Sequence, residues 1–222
     1  MTINNHYAPL ICYNAAELRP LVYQHGNKLT FVSKRVILSP IDILDSYYFI
    51  DKGRARYVTT GTEGEERILG ILEQDSFFGV VPILLPDQTF NLFVITEIPT
   101  VIYTLNKDTF MNLLNSSTTF RDSTLRGLAT QIIMLMSQIQ SLSFKSCKDR
   151  LYELFLASTI KQHLVDQHWY KLKYQYTQED MGKIIGASRI TVTRIINELC
   201  SEDLIRIVNR KIEVHAYNKL SS

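Results

Sequence analysis

The chain has 222 residues, is 45% hydrophobic and 21% charged, and carries a formal net charge of +2. That length and apolar content suffice for one or two domains with real cores. No run is long and apolar enough to span a bilayer and no N-terminal stretch resembles a signal peptide, so a cytoplasmic protein with no membrane partner is expected. Cys12, Cys147 and Cys200 are scattered with no CxxC pair. They offer no basis for structural zinc or a cysteine-only cluster, and neither metal nor cofactor is expected. Idle thiols are the simplest reading, and a redox pair such as Cys12 with Cys200 is the alternative.

In chain order, Met1–Gln24 reads as a loose arm with a short helix around Ala15–Tyr23. Short β-rich runs then recur at Leu29–Val32, Val36–Leu38, Tyr47–Ile50, Ala55–Thr59, Glu66–Ile71, Phe77–Phe78, Leu92–Ile95 and Val101–Leu105. Gly53, Gly61, Gly64, Gly70 and Pro86 punctuate them, a pattern that predicts a β-barrel or jelly roll. No nucleophile–base pair stands out in it. Asp42, Asp45 and Asp51 are close in sequence, but turn and surface aspartates account for them.

A long helix follows. Leu125, Ile132 and Ile139 are seven apart, as are Leu128, Leu135 and Leu142, and the two series interleave as a and d positions do. The spacing predicts a dimer seam; a helix lying on its own barrel is the competing reading. Ser141, Ser143, Lys145 and Ser146 interrupt the seam and mark a hinge. A second helix, Lys148–Lys161, then opens the last domain with Leu151, Leu154, Phe155 and Ala157 inward. The expected division is residues 1–108, 109–144 and 145–222.

The tract Thr177–Leu199 carries the most information. Thr177 with Asp180 three residues on is an Asp variant of the capping box. Met181, Ile184 and Ile185 give the first helix an apolar face, and Gly186 permits the φ > 0 conformation a tight turn requires. Ser188 caps a second helix whose Val192, Ile195, Ile196 and Leu199 point inward, leaving Arg189, Thr191, Thr193 and Arg194 on or near the other face. This is a helix-turn-helix. Leu204–Val208 and Lys211–His215 read as a hairpin around Asn209 and Arg210, so the domain is winged. Met181–Asn197 holds Lys183, Arg189 and Arg194 and no acidic residue. Local positive charge of this kind suits phosphate, because neutralised phosphates release counterions. Arg206, Arg210 and Lys211 are placed to meet phosphate from the wing. Arginine forks match guanine O6 and N7, while Ile190 offers apolar contact, for example to a thymine methyl group.

The order of barrel, long helix and winged helix-turn-helix, with GASRITVTRIINEL, FIDKGRARYV and the glycine of SFFG, resembles the Crp/Fnr family of bacterial transcription regulators. The resemblance covers nearly the whole chain and implies an α+β fold. It comprises an N-terminal cyclic-nucleotide-binding-like β-barrel, a long dimerisation helix and a C-terminal winged helix-turn-helix domain. It implies a homodimer on a two-fold site of double-stranded DNA, with RNA polymerase as a further partner, activation as the sign of regulation, and a signal sensed in the barrel. By resemblance, Arg189, Ile190, Thr193 and Arg194 face bases. Ser188 and Thr191 contact phosphate, joined by Thr177, Lys183, Arg210 and Lys211. Many members carry Glu where Ile190 stands, so the half-site should differ from the cyclic-AMP receptor's, and SRxTVTR looks closer to the nitrogen-control members.

In the family's cyclic-nucleotide binders, a Gly-Glu holds the ribose and an Arg-Ser or Arg-Thr holds the cyclic phosphate. Aligned through Phe78-Gly79, this chain has Val80 at the Glu position and Phe90-Asn91 at the Arg-Ser positions. Leu135 and Met136 fall where the cyclic-AMP receptor places hydroxyls. An anion buried without its guanidinium is heavily penalised, so no cyclic AMP binding is expected. Gly79, Val80, Val81, Leu84, Phe90, Asn91, Leu128, Leu135 and Met136 are instead expected to line a pocket for a hydrophobic or aromatic effector, as in the family's halogenated-aromatic sensors. A collapsed, ligand-free or redox-controlled barrel is the alternative. Haem has little support from His6 and His25, and an Fnr-type cluster lacks its N-terminal cysteines. The rival function is a barrel that regulates a protein partner rather than DNA. It leaves the acid-free recognition segment unexplained, and no catalytic constellation is present.

Overall fold

The computed structural model describes residues 13–215 apart from 41, 43, 44, 89, 90, 166 and 167. By contact density the chain divides into two units, one ending at Leu135 and one starting at Met136.

In the first unit, a single 3-10 turn (Ala16–Leu18) leads into α1 (Arg19–His25). Eight strands follow: β1 (Asn27–Phe31), β2 (Val36–Leu38), β3 (Ser46–Lys52), β4 (Ala55–Thr60), β5 (Glu66–Leu72), β6 (Phe77–Phe78), β7 (Phe93–Thr96) and β8 (Thr100–Asn106), with the short α2 (Val80–Leu84) between β6 and β7. They form two antiparallel four-stranded sheets, ordered β1-β8-β3-β6 and β2-β7-β4-β5. This is a jelly-roll pair of sheets rather than one closed barrel. Strand alternation explains its two cores. Ile50 and Ile102 from one sheet meet Leu38, Ala55, Leu72 and Val94 from the other, enclosing the space between them. On the opposite face of β3, Tyr47 and Phe49 pack with Phe77, Leu18, Val22, Phe110 and Phe120 under the helices.

Two helices occupy the stretch expected as one. α3 (Lys107–Ser116) is capped by Asn106, whose side chain accepts from Thr109 N at 2.8 Å. Ser117 is extended, and its hydroxyl accepts from Phe120 N at 3.2 Å to start the next helix. That helix, α4 (Thr118–Phe144), runs 27 residues.

In the second unit, α5 (Cys147–Ala157) opens on a complete capping box between Ser146 and Asp149. It stops before the expected Lys161. Thr159–Val165 is instead strand β9, paired with β10 (Trp169–Leu172). Ser158 ends the helix, its carbonyl accepting from Lys173 N at 2.7 Å, and the β-branched Thr159 then favours extension. α6 (Gln178–Ile185), α7 (Arg189–Ser201), β11 (Ile205–Val208) and β12 (Lys211–His215) complete the unit, whose sheet order is β11-β12-β10-β9. Among the described residues, no helix is long and apolar enough to cross a membrane.

Candidate nucleic-acid interface and effector cavity

The helix-turn-helix is built by local rules. The Thr177 hydroxyl accepts from Asp180 N at 3.0 Å and lies 2.8 Å from the Asp180 carboxylate, so the aspartate answers the hydroxyl of its cap. Gly186 terminates α6 at φ 72°, ψ 42°, and its N–H returns to the Gly182 carbonyl. A side-chain-bearing residue would be strained there. Ser188 caps α7, accepting from Thr191 N at 3.1 Å, and its hydroxyl also meets that of Thr191 at 2.9 Å. Met181, Ile185, Val192, Ile195, Ile196 and Leu199 are all buried, which fixes the angle between the two helices by packing.

That packing leaves one face of α7 outward. Arg189 and Ile190 are exposed, Ile190 at 83%, and the Arg194 side chain is 70% exposed. Among the described residues no carboxylate lies within ion-pair distance of Arg189, and Arg194 has only Glu198 at 3.5 Å, one turn on. Thr193 is half-buried, its hydroxyl 2.8 Å from Gln178 Oε1 and 3.0 Å from the Arg189 carbonyl, so it ties α7 to the start of α6. Lys183 is paired with Glu179 at 2.8 Å; this hydrogen-bonded ammonium holds the Glu179 carboxyl below its usual range.

The wing turns through Asn209 and Arg210, both at positive φ (49° and 64°), the conformation of a tight two-residue hairpin. Arg210 and Lys211 are exposed at its tip. Arg206 departs from the expectation. It lies 2.7 Å from the buried Glu213 carboxylate and stacks 4.6 Å over the Trp169 ring. Its charge is spent inside the sheet, where a carboxylate without it would be stranded. Trp169 sits on the hairpin that sequence periodicity did not resolve, so nothing in the sequence signalled this partner.

A buried arginine that sequence reading passed over anchors the whole assembly. Arg150, on α5, is 8% exposed. Its guanidinium donates to the carbonyls of Ile185 and Lys145, each at 2.8 Å, and meets Cys147 Sγ at 3.2 Å. It therefore ties the segment before α5 to the last residue of α6, beside the turn. A further tie joins α5 to the end of α7. Lys148 bonds Glu202 at 2.5 Å and Glu198 at 2.9 Å, and these carboxylates hold its ammonium above the usual lysine range.

The first unit contains a cavity of 280 Å³ lined by Leu38, Tyr57, Leu69, Phe78, Gly79, Val80, Val81, Pro82, Leu92, Val94, Gln131, Met134 and Leu135. Gly79 takes φ 90° to start α2, and a Cβ there would run into the Ser46 carbonyl. Four expected lining residues are corrected. Leu84 is turned outward and is 43% exposed, while Val80, Val81 and Pro82 of the short α2 reach the cavity and Ile83 packs into the Tyr47–Phe77 core. Asn91 is engaged beside β4, its amide donating to the Thr60 carbonyl at 2.6 Å and its own carbonyl accepting from Thr59 Oγ1 at 2.7 Å. Leu128 packs on the Tyr47–Phe77 core, and Met136 is 65% exposed. Phe90 lies outside the described residues, as do Cys12 and His6.

Along α4, Leu125, Ile132, Leu135, Ile139 and Leu142 are each between 44% and 64% exposed in the single chain. Of the expected seam, only Leu128 is covered to a larger degree, through the core contact above. Cys147 and Cys200 are free thiols, and burial pushes that of Cys200 up.

Comparison with known proteins places both units. Residues 28–117 match the cyclic nucleotide-binding domain family, and residues 149–222 match the Crp-like helix-turn-helix domain family. The chain is 24% identical over 187 residues to the global nitrogen regulator of Nostoc sp., covering 84% of each. It is 23% identical over 185 residues to the cAMP-activated global transcriptional regulator CRP of Pasteurella multocida, covering 83% of this chain and 88% of that one. In fold it is similar to the c-di-GMP responsive global regulator CLP of Xanthomonas campestris, with a TM-score of 0.77 at 14% identity, over 90% of this chain and 99% of that one. With a Crp-like helix-turn-helix carried behind a cyclic-nucleotide-binding-type jelly roll and a long helix, the chain belongs to the Crp/Fnr family of bacterial transcription regulators.

Proposed function

We propose that this chain acts in the cytoplasm as a homodimeric regulator that reads a two-fold symmetric promoter site. Its control comes from a small-molecule effector other than cyclic AMP. The observation that carries this is the outward edge of α7: Arg189, Ile190 and Arg194 are exposed, on a helix whose other face is fully buried. Arg189 and Arg194 read guanines, Ile190 makes apolar contact, and Thr193 supports them by holding Gln178 alongside. Ser188, Thr191, Thr177 and Lys183 contact phosphate near the turn, and Arg210 and Lys211 do so from the wing tip. Lys183 exchanges its partner Glu179 for a phosphate oxygen as it docks. The exposed stripe on α4 pairs with its copy to set two reading heads one helical turn apart. Contact with RNA polymerase follows as activation requires.

The effector reading rests on chemistry in the jelly roll. Val80 is 3% exposed where a nucleotide binder needs a carboxylate, and the Asn91 amide is already committed to Thr60. A cyclic phosphate would find no cation among the described lining residues. The rival in which the C-terminal unit serves only protein contact gains nothing from these observations.

On DNA selected by the wild-type protein, Arg189→Ala and Arg194→Ala should each cost about 1–3 kcal/mol, measured by fluorescence anisotropy, and relax preference at one base pair. Unchanged preference in both variants sinks the base-reading assignment. In a thermal-shift assay, cyclic AMP at micromolar concentration should leave the melting temperature unmoved; stabilisation refutes the effector reading.

A further inference from the structure

The cavity itself constrains what can occupy it. We infer that its ligand is an uncharged molecule of about ten to fourteen non-hydrogen atoms, two fused rings in size, held through one hydrogen-bonding group by the Gln131 amide. The size estimate scales from an engineered cavity of about 150 Å³ that takes benzene. This rests on the proposal that the cavity is the effector site.

Size comes from the 280 Å³ bounded by β2, β4, β5, β6, β7, α2 and α4. Charge comes from the lining. None of the lining residues carries a formal charge, and all are apolar except Tyr57 and Gln131 (with glycine at position 79). An ionised carboxylate or phosphate moved there would lose its hydration with no cation to replace it. Nor does α2, at five residues, offer a helix terminus strong enough to stand in for one.

The polar handle is Gln131. Its side chain is half-buried at the cavity wall and has no hydrogen-bond partner among the described residues. A primary amide offers both a donor and an acceptor, so it matches a carboxamide, phenol, ketone or alcohol, while the uncharged lining disfavours a dehydrated anion. Gln131 and Leu135 lie one turn apart on α4, and Leu135 both lines the cavity and stands in the exposed stripe. A ligand hydrogen-bonded to Gln131 therefore bears on the helix turn that the proposed dimer uses. Its affinity and self-association are thermodynamically linked, each raising or lowering the other by the same factor.

The test is a matched pair of probes, 2-naphthamide and 2-naphthoate, titrated calorimetrically into the full-length protein at pH 7.5. Naphthamide should bind at least tenfold more tightly than the isosteric anion. Gln131→Leu should weaken naphthamide binding by about tenfold while naphthoate, still without a cation, stays weak. Val81→Phe fills the cavity from a side chain that is 36% exposed, and should abolish binding while thermal unfolding stays cooperative. Naphthoate binding as tightly as naphthamide, yet lost in Val81→Phe, overturns the uncharged class and leaves the cavity as the effector site. Binding of either probe that survives Val81→Phe overturns the cavity reading itself. Naphthamide affinity unchanged in Gln131→Leu removes the handle, and no binding of either probe at millimolar concentration overturns the proposed size and class.

Discussion

Two helices of this chain leave a face uncovered, and the faces differ in kind. On α7 the uncovered side chains are Arg189 and Arg194 with Ile190 between them; on α4 they are Leu125, Ile132, Leu135, Ile139 and Leu142. A cationic face on a capped, well-packed helix is stable in water and waits for a polyanion. An apolar stripe of that length is costly in water, and the partner that removes the cost is another apolar stripe. On the proposed reading the same chain therefore meets two partners in two chemistries, nucleic acid through charge and a second copy through burial.

The largest expected effect comes from breaking the apolar face. Ile132→Lys with Ile139→Lys should convert the protein to a monomer in sedimentation velocity. Affinity for a two-fold site should fall by about a hundredfold or more, because the second reading head no longer binds intramolecularly. A dimer that persists would return α4 to the role of a helix needing no partner.

Next is the scaffold behind the cationic face. Arg150→Met leaves the Ile185 and Lys145 carbonyls without their donor, which should destabilise the C-terminal unit by about 2–3 kcal/mol. Urea unfolding followed by Trp169 fluorescence reports that unit alone, since it holds the chain's single tryptophan. A variant as stable as wild type would show that packing by itself sets the reading helix.

A smaller effect probes specificity. Ile190→Glu introduces an acceptor for cytosine N4 and should shift preference at one base pair by about tenfold, with overall affinity falling because a carboxylate faces the phosphates. The smallest is at the wing. Arg210→Ala should weaken binding uniformly across sequences and reduce the slope of log affinity against log salt by about one. Altered base preference in Arg210→Ala would make the wing a reader rather than an anchor.

How much of this was legible in sequence depended on how local each cause is. The ends of α6 and α7 are set by Thr177, Gly186 and Ser188, each acting over three or four residues, and the structure puts all three where the pattern did. The eight strand runs of the jelly roll were readable for the same reason, through alternation and turn residues. What failed was non-local. The start of β9, as far as Lys161, looked helical because Leu151, Leu154 and Phe155 set up a period that nothing before Ser158 breaks, and the rest of the hairpin gave no signal. The cavity draws Leu38, Leu69 and Val94 from separate strands, and only register brings these together. Within α2, Leu84 follows the core residue Ile83 by about 100° of helical rotation, enough to carry it from core to solvent. Arg206 looked like a phosphate contact until the sheet supplied Glu213 and Trp169.

The central claim, a two-fold reader whose specificity resides in Arg189 and Arg194, is tested most directly by selection from a randomised duplex library with the full-length protein, followed by sequencing. Wild type should enrich a palindrome with half-sites centred one helical turn apart, and each arginine-to-alanine variant should lose a guanine preference at one symmetric pair of positions. Enrichment of no site, of a site without two-fold symmetry, or of the same palindrome at equal stringency by both variants would contradict it.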